Sequence, residues 1–324
     1  MPSDLRVLPR LRSALPKRVP RDTSGLPSLV DDPPGRATMV YHPPEMLVDD
    51  PTTGWANETL LFHGVDGRWR KLRMDELGLP DDIWPGWDTY GAGSLSPDGR
   101  RWAGKSRAGV IVLDLATGDA DLIELDSDWT AWVEWRDDSR SVVAGHGNGG
   151  RRTELIELPS GRRTSQPFRY WEARFAPDGT AYSLQPAGRG RVEILSWRGD
   201  TTTALGVVDV PGLRRWQGGM YGPDVTDDRI LVGVQRSPYR TIDLAVIGIE
   251  ELEVAARLHL TVKQRSRFVD AEWLDPETVL LEAGPGLLAW RPADGSFLRV
   301  TALPDPGNGF ANVDVATGQP TRLQ

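Results

Sequence analysis

The chain has no cysteine among its 324 residues. Disulfides, thiolate metal sites and a cysteine nucleophile are excluded together. Histidine is scarce: His42, His63, His146 and His259 stand far apart, with no pair at metal-ligand spacing, so no metal site is expected. No run of about 18 apolar residues occurs, which leaves no segment able to span a membrane as a helix. Lysine is confined to Lys17, Lys71, Lys105 and Lys263 among 38 basic residues, an arginine bias that reads as genome composition. Acidic residues outnumber basic ones, 46 to 38, and a net charge of −8 argues against a nucleic-acid partner, whose footprint is a basic face. Neither a Gly-x-Ser-x-Gly elbow nor a Ser-x-Asp-x-Gly-x-x-Trp box is present.

What the chain does have is a repeat. Leu95-Ser96-Pro97-Asp98-Gly99 precedes the hydrophobic run at Trp102, and the pattern returns at Trp135-Arg136-Asp137-Asp138-Ser139 and Phe175-Ala176-Pro177-Asp178-Gly179. Weaker copies are read at Tyr221-Gly222-Pro223-Asp224 and Trp273-Leu274-Asp275-Pro276-Glu277. Proline presets φ, aspartate bonds back to the backbone and glycine accepts positive φ, so each copy predicts a turn between two strands. From Asp98 to Asp138 to Asp178 the period is 40 residues, a blade or solenoid spacing. Third strands such as Val110–Leu113 and Leu244–Ile247 are apolar without alternation, as burial on both faces requires.

Aligned on the bulky residue before each turn, the units carry Gly93, Val133, Ala173, Gly219 and Ala271 two positions earlier. Five positions earlier stand Tyr90, Thr130, Tyr170, Trp216 and Phe268, four aromatics at one register. Small first strands and aromatic blade openings predict an all-β propeller of six four-stranded blades, with seven as the rival count. The expected layout is a basic, proline-interrupted and disordered lead-in over 1–23, the propeller over 24–303, and a closing strand or tail over 304–324.

The Pro-Asp-Gly turn, the strand after it and the run Val112-Leu113-Asp114-Leu115-Ala116-Thr117-Gly118-Asp119 resemble the repeat of bacterial WD-repeat and TolB-like β-propellers. The resemblance covers about residues 24 to 303. No Trp-Asp ends a third strand and no Gly-His opens each unit, which favours the looser bacterial type. The resemblance implies a rigid platform for partners and supplies no catalytic residues.

Several motifs imitate other chemistry. Gly99–Ser106 matches G-x-x-x-x-G-K-[ST], but a phosphate loop needs a helix after it, and the next segment reads as a strand. Gly145–Gly150 fits G-x-G-x-x-G and is likewise followed by a strand. Arg198-Gly199-Asp200 falls where a hairpin turn is due. Glu134, Glu172, Asp270 and Glu272 fall on first strands, with Arg174 among them, and are read as solvated or paired lining residues.

These readings give a non-enzymatic, monomeric, cytoplasmic platform without cofactor, binding a protein or peptide at its mouth. The site residues are Tyr90, Trp132, Tyr170, Trp216 and Phe268, and Trp84-Pro85-Gly86-Trp87 would join the same rim. The alternative is a carbohydrate binder, hydrolase or lyase using axis carboxylates beneath the aromatic rim. A third reading, a domain that normally follows another segment, fits the abrupt basic start without a signal. Six basic residues before Thr23 allow weak contact with an anionic membrane surface.

Overall fold

In the computed structural model, which describes residues 8–42, 59–80, 93–126, 130–147, 152–158, 160–169, 172–211, 223–233, 241–261, 271–282, 286–304 and 312–317, the repeat turns fold through one set of bonds. Asp98 Oδ1 accepts the Arg100 amide, Asp138 Oδ1 those of Arg140 and Ser141, and Asp178 Oδ1 that of Thr180, at 2.7–3.0 Å. The next backbone position is left-handed in all three turns: Gly99 at φ 70°, Gly179 at 87°, and Ser139 at 52°. Serine there carries strain that glycine avoids. Ser139 Oγ offsets part of it by accepting the Asp98 amide of the neighbouring sheet at 3.0 Å.

The turns organise six four-stranded antiparallel sheets, the blades of a β-propeller. They fall into two units of three blades each. The first unit comprises residues 14–166 and 303–321. Its blade 1 is β1 (Ala37–His42), β2 (Thr59–Gly64) and β3 (Trp69–Arg73), preceded in the sheet by β24 (Asn312–Val315). Blade 2 is β4 (Gly93–Leu95), β5 (Arg101–Lys105), β6 (Gly109–Asp114) and β7 (Ala120–Glu124). Blade 3 is β8 (Thr130–Trp135), β9 (Ser141–His146), β10 (Arg152–Glu157) and β11 (Arg162–Gln166).

The second unit comprises residues 1–13, 167–302 and 322–324. Blade 4 is β12 (Ala173–Phe175), β13 (Ala181–Pro186), β14 (Arg191–Arg198) and β15 (Thr201–Asp209). Blade 5 is β16 (Asp224–Val225), β17 (Arg229–Gly233), β18 (Thr241–Gly248) and β19 (Glu253–Thr261). Blade 6 is β20 (Ala271–Asp275), β21 (Thr278–Glu282), β22 (Gly286–Trp290) and β23 (Phe297–Ala302).

Apolar seams join neighbouring blades within each unit. Phe62, Trp102, Ile111 and Leu113 fill the seam of blades 1 and 2, where Phe62 meets Trp102 edge-on at 6.5 Å. Trp102 lies flat over its own strand because Gly104 has no side chain: a Cβ there would fall 2.0 Å from the ring. Ala103, Val110, Val133, Trp135 and Ala144 fill the seam of blades 2 and 3, and the Trp135 indole donates to Ser94 O at 2.8 Å. In the other unit, Trp273 and Trp290 lead the seam of blades 5 and 6.

Two expectations shift, and the closing strand takes its place in blade 1. In blade 5 the turn is Thr226-Asp227-Asp228, with Thr226 N donating to Arg229 O, and the first described strand is β16. Pro223 precedes that strand and Asp224 opens it: Asp224 pairs with Leu231, so its carboxylate serves not the turn but the Trp273 amide of blade 6. The segment at 312–315 pairs antiparallel with β1, Met39 opposite Val315, and supplies the first strand of blade 1. From Leu8 onward the lead-in expected to be disordered has defined packing, because Leu8, Leu11 and Val19 are buried.

Candidate functional site

The leading end of a blade is where its first strand begins. At the leading end of blade 3, Thr130 of β8 stands opposite His146 of β9, which stands opposite Arg152 of β10. Alternation from Val142 and Ala144 puts His146 on the face that packs against blade 2, and Glu154, opposite Ala144, shares it. An irregularity between Thr130 and Trp132 shifts the register, so the next row is Trp132, Gly145 and Thr153. The Trp132 indole, half-buried, donates to Glu134 Oε2 at 3.1 Å.

This corner is polar and mostly buried. His146 is 1% exposed, and its Nε2 lies 3.4 Å from Glu154 Oε1, within ion-pair range but without hydrogen-bond geometry. Among the described residues, the Thr130 and Thr153 hydroxyls, both His146 ring nitrogens and Glu154 Oε2 are buried without a hydrogen-bond partner. Each such atom costs about 1–3 kcal/mol. Lys105, two residues beyond Ala103 on β5 and so on the face toward blade 3, is 5% exposed. A buried lysine, a buried histidine and a partly buried carboxylate thus sit at one end of an otherwise apolar seam.

Of the five expected site residues, Trp132 is placed here; Tyr90, Tyr170, Trp216 and Phe268, with Trp84 to Trp87, lie outside the described residues. Glu134 is taken by Trp132, and Glu172 accepts the Arg169 amide at 3.0 Å. Glu272 is half-buried on β20, Arg174 donates to Ala173 O at 3.3 Å, and Asp270 lies outside the described residues. The His146–Glu154 pair was missed because His146 was read as part of a glycine loop; its place two residues beyond Ala144 on an apolar face was the signal.

A second group was also missed. Asp243 of β18, its side chain fully buried, binds the Arg257 guanidinium through both oxygens at 3.1 and 3.0 Å, and lies 3.5 Å from His259 Nδ1. Arg257 also donates to Pro211 O, so the cluster ties blade 5 to the chain leaving blade 4. A buried charge with both lone-pair directions used is a structural clasp.

The imitative motifs resolve as turns and strands. Ser106 N donates to Gly109 O at 2.8 Å and Gly109 N to Ser106 Oγ at 2.9 Å, so the loop after Lys105 closes on itself and β6 follows without a helix. Gly145 and His146 belong to β9, and β10 starts at Arg152. Arg198 donates to Asp178 Oδ2 and Thr180 Oγ1, and Gly199 turns the hairpin at φ 59°. Among the described residues no group of three or more potential metal ligands occurs, and no helix is long and apolar enough to cross a membrane.

No family model matches the sequence, and no curated protein matches it. Solved structures similar to the chain include the WD40 repeats of RRP9, at 11% identity and TM-score 0.47, covering 77% of this chain and 76% of that one. TolB from Acinetobacter baumannii aligns at 13% identity and TM-score 0.39, covering 75% and 66%. The acylaminoacyl peptidase of Pyrococcus horikoshii aligns at 15% identity and TM-score 0.44, and the chain spans 41% of its length. The propeller class rests on the six sheets themselves.

Proposed function

We propose that the protein is a non-enzymatic platform for a protein or peptide partner, contacted through the leading end of blade 3. The observation that carries this reading is the contrast within one sheet: at the end of blade 3 where Trp132 stands, Thr130, His146 and Glu154 toward blade 2 and Thr153 on the face of Trp132 bury polar atoms that no described residue bonds. Buried polar groups kept against stability are characteristic of functional positions. Tryptophan is the residue type most enriched at interface hot spots. Tyr90, Tyr170, Trp216 and Phe268 are proposed to belong to the same binding function. The test uses wild type, Trp132→Ala and Tyr170→Ala plus Trp216→Ala as baits in quantitative affinity capture from the native lysate. A discrete partner retained by wild type, depleted roughly tenfold with Trp132→Ala at unchanged melting temperature, supports the reading. Equal retention by wild type and Trp132→Ala, or no retention by either, removes it.

A further inference from the structure

Two short segments of this chain are alike and dock alike. Leu8-Pro9-Arg10-Leu11 and Leu26-Pro27-Ser28-Leu29 are the two occurrences of Leu-Pro-x-Leu in the sequence. Each runs parallel to an outer strand as a single bridge, Arg10 beside Arg299 of β23 and Ser28 beside Lys71 of β3. Arg299 N donates to Pro9 O and Leu11 N to Arg299 O, both at 2.8 Å; Lys71 N donates to Pro27 O at 3.0 Å and Leu29 N to Lys71 O at 2.7 Å. Proline suits its position, since only its carbonyl is used and its φ is already set. The second leucine is buried in both, and Leu8 and Leu29 join the cores of blades 6 and 1.

The receiving strands match as well. Counted from the hairpin, they read Trp69-Arg70-Lys71-Leu72 and Phe297-Leu298-Arg299-Val300, with Lys71 opposite Leu61 and Arg299 opposite Leu288. The remaining outer strands start Ala120-Asp121-Leu122, Arg162-Arg163-Thr164, Thr201-Thr202-Thr203 and Glu253-Val254-Ala255, none of them aromatic-x-basic. Two motifs thus meet two matching strands through one bonding scheme.

We infer that an outer strand of the form aromatic-x-basic-aliphatic is a docking site for an extended Leu-Pro-x-Leu segment. At blade 6 a partner protein carrying this tetrapeptide takes the place of residues 8–11. Blade 6 is the exchangeable site because the segment on blade 1 is pinned further: Ser28 Oγ donates to Glu76 Oε2 at 2.8 Å, and Ser28 O accepts the Asp32 amide at 3.1 Å. At blade 6 the added bonds of residues 8–11 among the described residues, Arg10 to Val300 O at 2.9 Å and Arg299 Nε to Leu8 O at 3.0 Å, run to β23. This site is separate from Trp132.

The test titrates a labelled peptide of residues 6–13 against the full chain by fluorescence anisotropy, with a control peptide carrying Leu11→Asp. Leu11→Asp in the full chain weakens the internal competitor, whose effective concentration is about millimolar, so this variant is expected to bind the peptide roughly tenfold or more tightly than wild type. Arg299→Pro in that background removes the N–H that Pro9 O accepts and is expected to abolish binding. Equal affinity for both peptides, or no binding at about 1 mM peptide, overturns the inference. Should Leu11→Asp fail to fold, hydrogen exchange at the Leu11 amide of wild type decides: faster exchange with excess peptide supports displacement, and unchanged exchange refutes it. Trp132→Ala is expected to leave peptide affinity unaltered, which separates this result from the blade 3 proposal.

Discussion

At the turn end of blade 3, the Asp138 carboxylate accepts the Arg140 and Ser141 amides and the Ser141 hydroxyl, and the Trp135 indole reaches Ser94. At the leading end of the same sheet, the Thr130 hydroxyl, the His146 ring and one Glu154 oxygen are buried without a hydrogen bond from any described residue. Both ends use the same strands and face the same neighbour. The difference teaches where this fold draws its stability, since the turn end bonds its buried polar groups to the neighbouring backbone.

The strongest way to break that contrast is Trp135→Ala. It empties the apolar seam and leaves Ser94 O without its donor, so a loss of about 3–5 kcal/mol is expected in denaturant unfolding. Asp138→Ala removes three bonds at the turn, and about 1–2 kcal/mol should follow in the same assay. At the leading end the joint replacement of His146→Leu and Glu154→Leu is expected to cost nothing or to raise the melting temperature, because an imperfect buried pair is exchanged for apolar contact. A large loss there would show that the polar corner is structural after all. Ser139 gives the finest comparison: Ser139→Ala keeps the strain and loses the Asp98 bond, about 1 kcal/mol, whereas Ser139→Gly relieves strain and loses the bond, for a net change within about 0.5 kcal/mol.

Blade 1 offers a buried histidine of the opposite kind. His63 Nδ1 lies 2.7 Å from Thr38 Oγ1, and burial pushes the imidazole below its ordinary value despite the pull of Asp66 and the Gly67 carbonyl. A group that the folded state prefers neutral binds fewer protons than in the unfolded chain, so stability should fall as pH drops below about 6.5. His63→Gln is expected to flatten that segment of the pH–melting curve. Asp66 is held down to about 2, first by its hydrogen bonds from Arg70. Its stabilising contribution is present above the ordinary carboxylate range and is lost as pH falls from about 4 toward 2. The two losses should therefore appear in separate pH windows.

Blade architecture was legible because Asp98, Asp138 and Asp178 repeat a turn whose chemistry is local. Blade 5 misled because Gly222-Pro223-Asp224 has turn composition, while the true turn, Thr226-Asp227-Asp228, has neither proline nor glycine. The polar corner was illegible for another reason. That His146 shares a face with Glu154 follows from the β9–β10 register, and register depends on which strands pair. The Leu8–Leu11 segment was passed over because prolines in a basic lead-in read as chain breakers, when here proline needs only its carbonyl.

The strand at 312–315 carries a consequence for the order of assembly. Val40 pairs with Asp314, a separation of 314 − 40 = 274 residues, and closing a loop of that length costs roughly 5 kcal/mol of chain entropy. All of blades 4, 5 and 6 lie inside that loop, as an insertion within the other unit. During synthesis blade 1 must wait with β1 as an open edge until residue 315 has been made, so the first blade begun is the last one finished.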